Sequence, residues 1–134
     1  MTENRRLLLA KMGLDCHDTG IVTVAKMLRD AGYEVIYLGL HNDASRIVRA
    51  AIDEDVAAIG ISFLSGQHMT QAQHLLEEMK KNEIKLPVFC GGVIPQDDAK
   101  ALKDMGITEV ITPGALTDEI IGIIDNCISS SIPS

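Results

Sequence analysis

Aromatic side chains are nearly missing from this chain: two tyrosines, two phenylalanines and no tryptophan among 134 residues. Platforms that stack single-stranded nucleic acid are built from such rings, so that class of partner is not expected. A formal net charge of −7 argues the same way, because phosphate backbones are bound by an excess of lysine and arginine. Long apolar runs are lacking too. No stretch approaches the roughly 20 residues of a membrane span. The polar lead-in Met1-Thr2-Glu3-Asn4-Arg5-Arg6 does not open a secretory signal, and a cytoplasmic protein is expected. Cys16, Cys90 and Cys127 are odd in number, widely spaced and contain no C-x-x-C, which reads as reduced thiols and not as a disulfide framework. There is no internal repeat and no low-complexity linker. What remains is 46% hydrophobic and 23% charged, ordinary composition for one globular unit over residues 1–134 with a core at about 6–127.

Five apolar, β-branched-rich runs alternate with five helical patterns. The strand candidates are 6–11, 34–38, 57–63, 86–90 and 109–112. Between them apolar residues recur at helical spacing: Ile21, Val24, Ala25, Leu28; then Ile47, Val48, Ala51, Ile52; then Met69, Ala72, Leu76, Met79; and last Ile120, Ile121, Ile124, Ile128. A shorter pattern around Ala99, Leu102 and Met105 makes the fourth helix, and the methionines read as core filler. Gly32, Gly39 and Gly106 fall at helix ends and turns, Pro87 at a strand start, and only residues 129–134 read as frayed. Strict βα alternation with continuous apolar strands predicts an α/β fold: a parallel sheet covered by helices on both faces. With five strands the expected order is the flavodoxin-like 2-1-3-4-5, which places ligands outside the carboxyl ends of the strands, at the switch point between strands 1 and 3.

The loops at that edge carry the informative residues. Strand 1 runs directly into Asp15-Cys16-His17-Asp18-Thr19-Gly20. An imidazole there can bind a metal through one nitrogen while Asp15 holds the other, and Lys11, four residues before Asp15, can pair with that carboxylate. One histidine is too few for a protein-only zinc or copper site. It suffices if the metal arrives inside a macrocycle that fills its equatorial positions. Strand 3 ends in Ser62-Phe63-Leu64, strand 4 in Gly91-Gly92-Val93-Ile94-Pro95, and strand 5 in Thr112-Pro113-Gly114.

Together these loops resemble the cobalamin-binding domain of adenosylcobalamin-dependent mutases, whose pattern is D-x-H-x-x-G, then S-x-L, then G-G. Here 41 residues separate Gly20 from Ser62, and 26 separate Leu64 from Gly91, close to the family's spacing. The resemblance implies that His17 is the lower axial ligand to cobalt, displacing the cofactor's own dimethylbenzimidazole base. It implies that Asp15 accepts the second imidazole N–H and that Lys11 extends the relay. The detached nucleotide tail is then expected between strands 1 and 3, passing Gly20, with Ser62 donating to a ring nitrogen of the base and Leu64 packing near it. Gly91 and Gly92 leave room for the tail, and Pro113 and Gly114 lie near its ribose or base. Asp18 is either an acceptor for a corrin amide or a helix N-cap, and the cap is favoured.

Lys11-Met12-Gly13-Leu14-Asp15 and Cys90-Gly91-Gly92-Val93-Ile94-Pro95 are similar to the cobalamin domain of methylmalonyl-CoA mutase and to the small subunits of isobutyryl-CoA and 2-hydroxyisobutyryl-CoA mutases. That implies an isomerase subunit that binds adenosylcobalamin, whose cobalt–carbon bond breaks homolytically. It also implies a large TIM-barrel partner carrying the acyl-CoA, since this chain has no room for a barrel of roughly 250 residues. The alternative is a non-catalytic cobalamin carrier or corrinoid methyl-transfer protein. Only fourteen residues precede Asp15, so the helical cap of methyl-transfer carriers is not expected. A phosphorelay receiver would need an aspartate at the end of strand 3 and a lysine after strand 5, and a flavodoxin a hydroxyl-rich loop after strand 1; neither pattern is present. Each residue also has a simpler reading. His17 can be a strand-end packing residue, Lys11 and Asp15 a surface ion pair, Ser62 a cap, and Gly91-Gly92 a plain turn. His41, His68 and His74 read as solvated or packing residues.

Overall fold

Leu7, Leu8, Leu9 and Ala10 are all buried, so the first strand must be covered on both sides. Alternation divides them: Leu8 and Ala10 enter one apolar cluster, Leu7 and Leu9 the other. The computed structural model describes residues 6–11, 19–39, 42–62, 68–91, 94–111 and 117–131. Its elements are β1 (Arg6–Lys11), α1 (Thr19–Asp30), β2 (Glu34–Tyr37), α2 (Ala44–Glu54), β3 (Ala58–Ser62), α3 (His68–Lys81), β4 (Val88–Gly91), α4 (Gln96–Met105), β5 (Glu109–Ile111) and α5 (Thr117–Ser131). The strands form one parallel sheet in the order β2-β1-β3-β4-β5, as the alternation predicts.

Two helix layers follow from the same alternation. Ile47, Val48 and Ala51 of α2, Ala72, Leu75 and Met79 of α3, and Leu102 of α4 cover the face of Leu8, Ala10, Ile59, Ile61, Val88 and Cys90. Ala25 and Leu28 of α1, with Ile120, Ile124 and Ile128 of α5, cover the face of Leu7, Leu9, Ala58 and Phe89. The edge strands β2 and β5 are only half-buried, apart from the exposed Glu34. Turn chemistry agrees with the layering. Asp43 accepts from the Arg46 N–H at 2.8 Å and caps α2, while Gly32, Gly39 and Gly106 all adopt positive φ.

Several boundaries and faces differ from expectation. β4 begins at Val88, because Pro87 has no N–H to give the ladder; its carbonyl still accepts from Ile59. α5 continues to Ser131, past the point where fraying was expected. Met105 is exposed, not core, since α4 turns only Leu102 fully inward. In α3 the fully buried leucine is Leu75, with Leu76 half-buried, and the buried stripe includes His68 and Gln71.

Candidate functional site at the carboxyl edge of the sheet

The register aligns three of the residues singled out above. Lys11 pairs with Ser62, Ser62 with Gly91, and Gly91 with Ile111. This row closes the carboxyl ends of β1, β3, β4 and β5. Strand alternation puts it on the α1/α5 face, one step beyond Leu9, Gly60 and Phe89. Lys11 is 5% exposed, and its ammonium Nζ donates to Ser62 Oγ at 3.4 Å. A buried ammonium is retained only with good partners, and the serine hydroxyl is one of them. Gly20 lies in the first turn of α1.

Gly91 does not have a positive φ, so the backbone conformation does not require a glycine there. Among the described residues, a Cβ built on it meets only the Ile111 carbonyl oxygen, at an ordinary 3.7 Å. Neither strain nor packing against the described residues therefore explains the missing side chain. Gly60 is the opposite case. A Cβ there would lie 2.4 Å from Phe89 Cε2 and 2.5 Å from Leu9 Cδ2, so the phenylalanine ring rests directly over the glycine. Leu9, Gly60 and Phe89 thus make a solid floor beneath Lys11, Ser62 and Gly91.

Two supports of this edge were not visible in the sequence. Asn42, 3% exposed, donates its backbone N–H and its Nδ2 to the Lys11 carbonyl, each at 3.2 Å, and Nδ2 also reaches the Gly39 carbonyl at 2.7 Å. It fixes the point where the chain leaves β1. Its Oδ1 is buried and has no hydrogen-bond partner among the described residues. His68 opens α3, is buried, and holds Asp98 of α4 through Nε2–Oδ2 at 2.7 Å. That pair ties the helix after β3 to the helix after β4. His68 is therefore a packing residue with a specific partner; His74 is exposed. Cys90 lies in β4 with its thiol pushed up to about 12 by burial, an inert packing group at neutral pH. The remaining candidates, Asp15, His17, Asp18, Leu64, Gly92, Pro113 and Gly114, lie outside the described residues, as do Cys16 and His41.

The His68–Asp98 pair is asymmetric in burial, with side chains 7% and 40% exposed, and this predicts an asymmetric response. Asp98→Ala leaves a buried ring nitrogen without its partner and is expected to cost about 1–3 kcal/mol in urea unfolding. His68→Leu removes the buried polar ring, including Nδ1, which has no partner among the described residues, and releases Asp98 to water; its cost is expected to be smaller. Equal losses from the two variants would contradict this account of the pair.

A groove of about 800 Å³ lined by Leu76, Met79, Ile84, Leu86 and Pro87 opens at the amino ends of β4 and β5. It is at the other end of the sheet and shares no residue with the row.

Comparison with known proteins decides the family. The B12 binding domain model matches residues 5–121, nearly the whole chain. The chain belongs to the B12-binding domain family. Within the family it is 44% identical, over 126 residues, to the 2-hydroxyisobutanoyl-CoA mutase small subunit of Aquincola tertiaricarbonis, covering 89% of this chain and 91% of that one. It is 38% identical to the pivalyl-CoA mutase small subunit of Xanthobacter autotrophicus, over 90% of this chain and 81% of that one. A cobalamin-binding protein from Desulfitobacterium hafniense superimposes with a TM-score of 0.78 at 19% identity, over 92% of this chain and 59% of its own. The signal receiver domain of a response regulator from Mycobacterium tuberculosis reaches 0.72 at 13% identity, over 96% of this chain and 98% of its own. Fold likeness alone thus does not separate B12-binding domains from receivers. Sequence does: this B12-binding chain ends β3 in Ser62, where a receiver would need its aspartate.

Proposed function

We propose that this chain is the cobalamin-binding small subunit of a two-chain acyl-CoA mutase, an isomerase that rearranges the carbon skeleton of a short acyl-CoA. The observation that carries the proposal is the match to a mutase small subunit over 91% of that subunit's length. A match of that extent leaves the substrate pocket to a second, larger chain. A TIM barrel carrying the acyl-CoA would fit that requirement.

The residues of the described edge suit a corrinoid with its base detached. Gly91 leaves space that none of the described residues fills, and Ser62 offers a hydroxyl beside it. His17 would hold the cobalt through its imidazole, Asp15 would fix the tautomer of that ring, and Lys11 would support the aspartate. Leu64, Gly92, Pro113 and Gly114 would line the tail's path, and Asp18 would serve as the N-cap of α1. Adenosylcobalamin contributes the homolysis of its cobalt–carbon bond when bound. The chain's own residues would hold the corrin in place, supply a ligand to its cobalt and screen the site from water.

The test is co-purification with a large mutase subunit, followed by isomerase assay on methylmalonyl-, isobutyryl- and 2-hydroxyisobutyryl-CoA. Turnover is expected only with both chains and adenosylcobalamin present. Full turnover by this chain alone would refute the division of labour.

Gly91 gives a second test in which stability and binding part company. Gly91→Ala is expected to leave the unfolding free energy from urea titration unchanged or raised by up to about 1 kcal/mol, because the described residues accommodate the Cβ and the unfolded chain loses entropy. The same methyl group occupies the ligand's space, so hydroxocobalamin titration should show at least roughly tenfold weaker binding. Unchanged affinity would remove Gly91 from the tail's route.

A further inference from the structure

Lys11 and Ser62 are register partners on β1 and β3, and Lys11 Nζ lies 3.4 Å from Ser62 Oγ. The direction of that contact is fixed by chemistry. An ammonium carries three N–H donors and no lone pair, whereas a hydroxyl carries one proton and two lone pairs. Ser62 can therefore only accept from Lys11, and its single proton must point elsewhere. The positive charge on one side of Oγ also polarises the O–H bond and strengthens it as a donor. Lys11 cannot readily turn away. It is nearly buried, and its backbone is held on both sides, N–H to the Gly39 carbonyl and carbonyl to Asn42.

We infer that Lys11 is a positioning residue that commits Ser62 to donate, so that the site selects corrinoids whose detached lower base presents an acceptor nitrogen. The inference rests on the cobalamin reading above and adds a specificity to it. A benzimidazole released from cobalt has a ring nitrogen free to accept. An O-linked cresol in the same place has none and leaves the Ser62 O–H covered by the ligand without an acceptor.

The experiment compares hydroxocobalamin with the cresolyl corrinoid, which has the same corrin and a phosphoribosyl tail but no ring nitrogen. Dissociation constants are measured by absorbance for wild type, Ser62→Ala, Lys11→Met and the double variant, with thermal midpoints to confirm folding. The readout is the ratio of the two constants within each protein. Axial ligation and the different ease of detaching the two bases enter that ratio equally in every variant, so a general loss of binding cancels. In wild type the ratio should favour cobalamin by about tenfold more than in Ser62→Ala, the size expected for one unmet buried hydroxyl. Lys11→Met should lower the ratio as Ser62→Ala does, and the double variant no further. Lys11→Arg, which keeps a charged donor, should restore it, and Lys11→Leu substitutes for Met if the yield of folded protein is low. If both corrinoids bind and the ratio ignores Lys11, the inference is overturned. If neither corrinoid binds wild type, the cobalamin reading itself has failed.

Discussion

Gly60→Ala is expected to destabilise the protein by about 2–3 kcal/mol, and Gly60→Val to leave it largely unfolded at room temperature. General propensity predicts the opposite sign, since replacing glycine in a strand restricts the unfolded chain and favours folding. Packing overrides it here. The new Cβ would sit 2.4 and 2.6 Å from two atoms of the Phe89 ring and 2.5 Å from Leu9 Cδ2, on a face where both neighbours are buried. The ring cannot swing away without leaving the α5 interface, and Leu9 is hemmed in by the same cluster. Overpacking by one methyl group then forces off-rotamer side chains or a separation of β3 from β4. Phe89→Leu shortens the obstructing group, so Gly60→Ala combined with it should lose less than the sum of the single losses, a coupling measurable by urea unfolding. Strict additivity would mean that the ring is not what glycine accommodates. Because Leu9, Gly60 and Phe89 lie directly beneath Lys11, Ser62 and Gly91, cobalamin affinity should fall in the single variant and recover with the suppressor.

That floor illustrates how much the sequence could reveal. Continuous apolar strands and strict alternation specify a parallel sheet with two helix layers, and the order β2-β1-β3-β4-β5 then places every informative loop at one edge. The register itself, Lys11 to Ser62 to Gly91, completes what the motif spacing implied. The role of Gly60 is not legible in the sequence, because a glycine inside an apolar run carries no sign of which ring lies above it. The face of α3 was shifted for a related reason. Leu75 and Leu76 are adjacent, so apolar spacing alone leaves the stripe uncertain by a residue, and the true stripe includes His68 and Gln71. A hydrophobicity pattern cannot register a polar side chain that is buried by its partner, and the partner of His68 stands thirty residues away on another helix. Asn42 escaped for the same reason: its acceptors, the carbonyls of Lys11 and Gly39, are backbone groups brought together only by the β1–β2 pairing.

His17→Ala carries the largest expected effect on function. The chain leaves β1 at Lys11 with its backbone clamped by Asn42, and His17 follows six residues later, before α1 begins at Thr19. In the reading proposed above, its imidazole is the protein's ligand to cobalt. Loss of an outer-shell partner of a metal ligand weakens a site by about 10–100-fold, and loss of the ligand itself should exceed that. Hydroxocobalamin titration of His17→Ala is therefore expected to show at least about 100-fold weaker binding, with Asp15→Ala intermediate. Reduced to cob(II)alamin, the wild-type complex should display EPR hyperfine splitting from one protein nitrogen. Uniform ¹⁵N labelling of the protein should change that splitting, which the cofactor's own unlabelled base would not do. The variant should lose the splitting, and added imidazole should restore part of the affinity. Reconstituted with its large subunit, it should show no measurable isomerase turnover. If the labelled and unlabelled proteins gave identical spectra, the cobalt-bound nitrogen would belong to the cofactor's own base, and the tail would have no reason to lie beside Gly91.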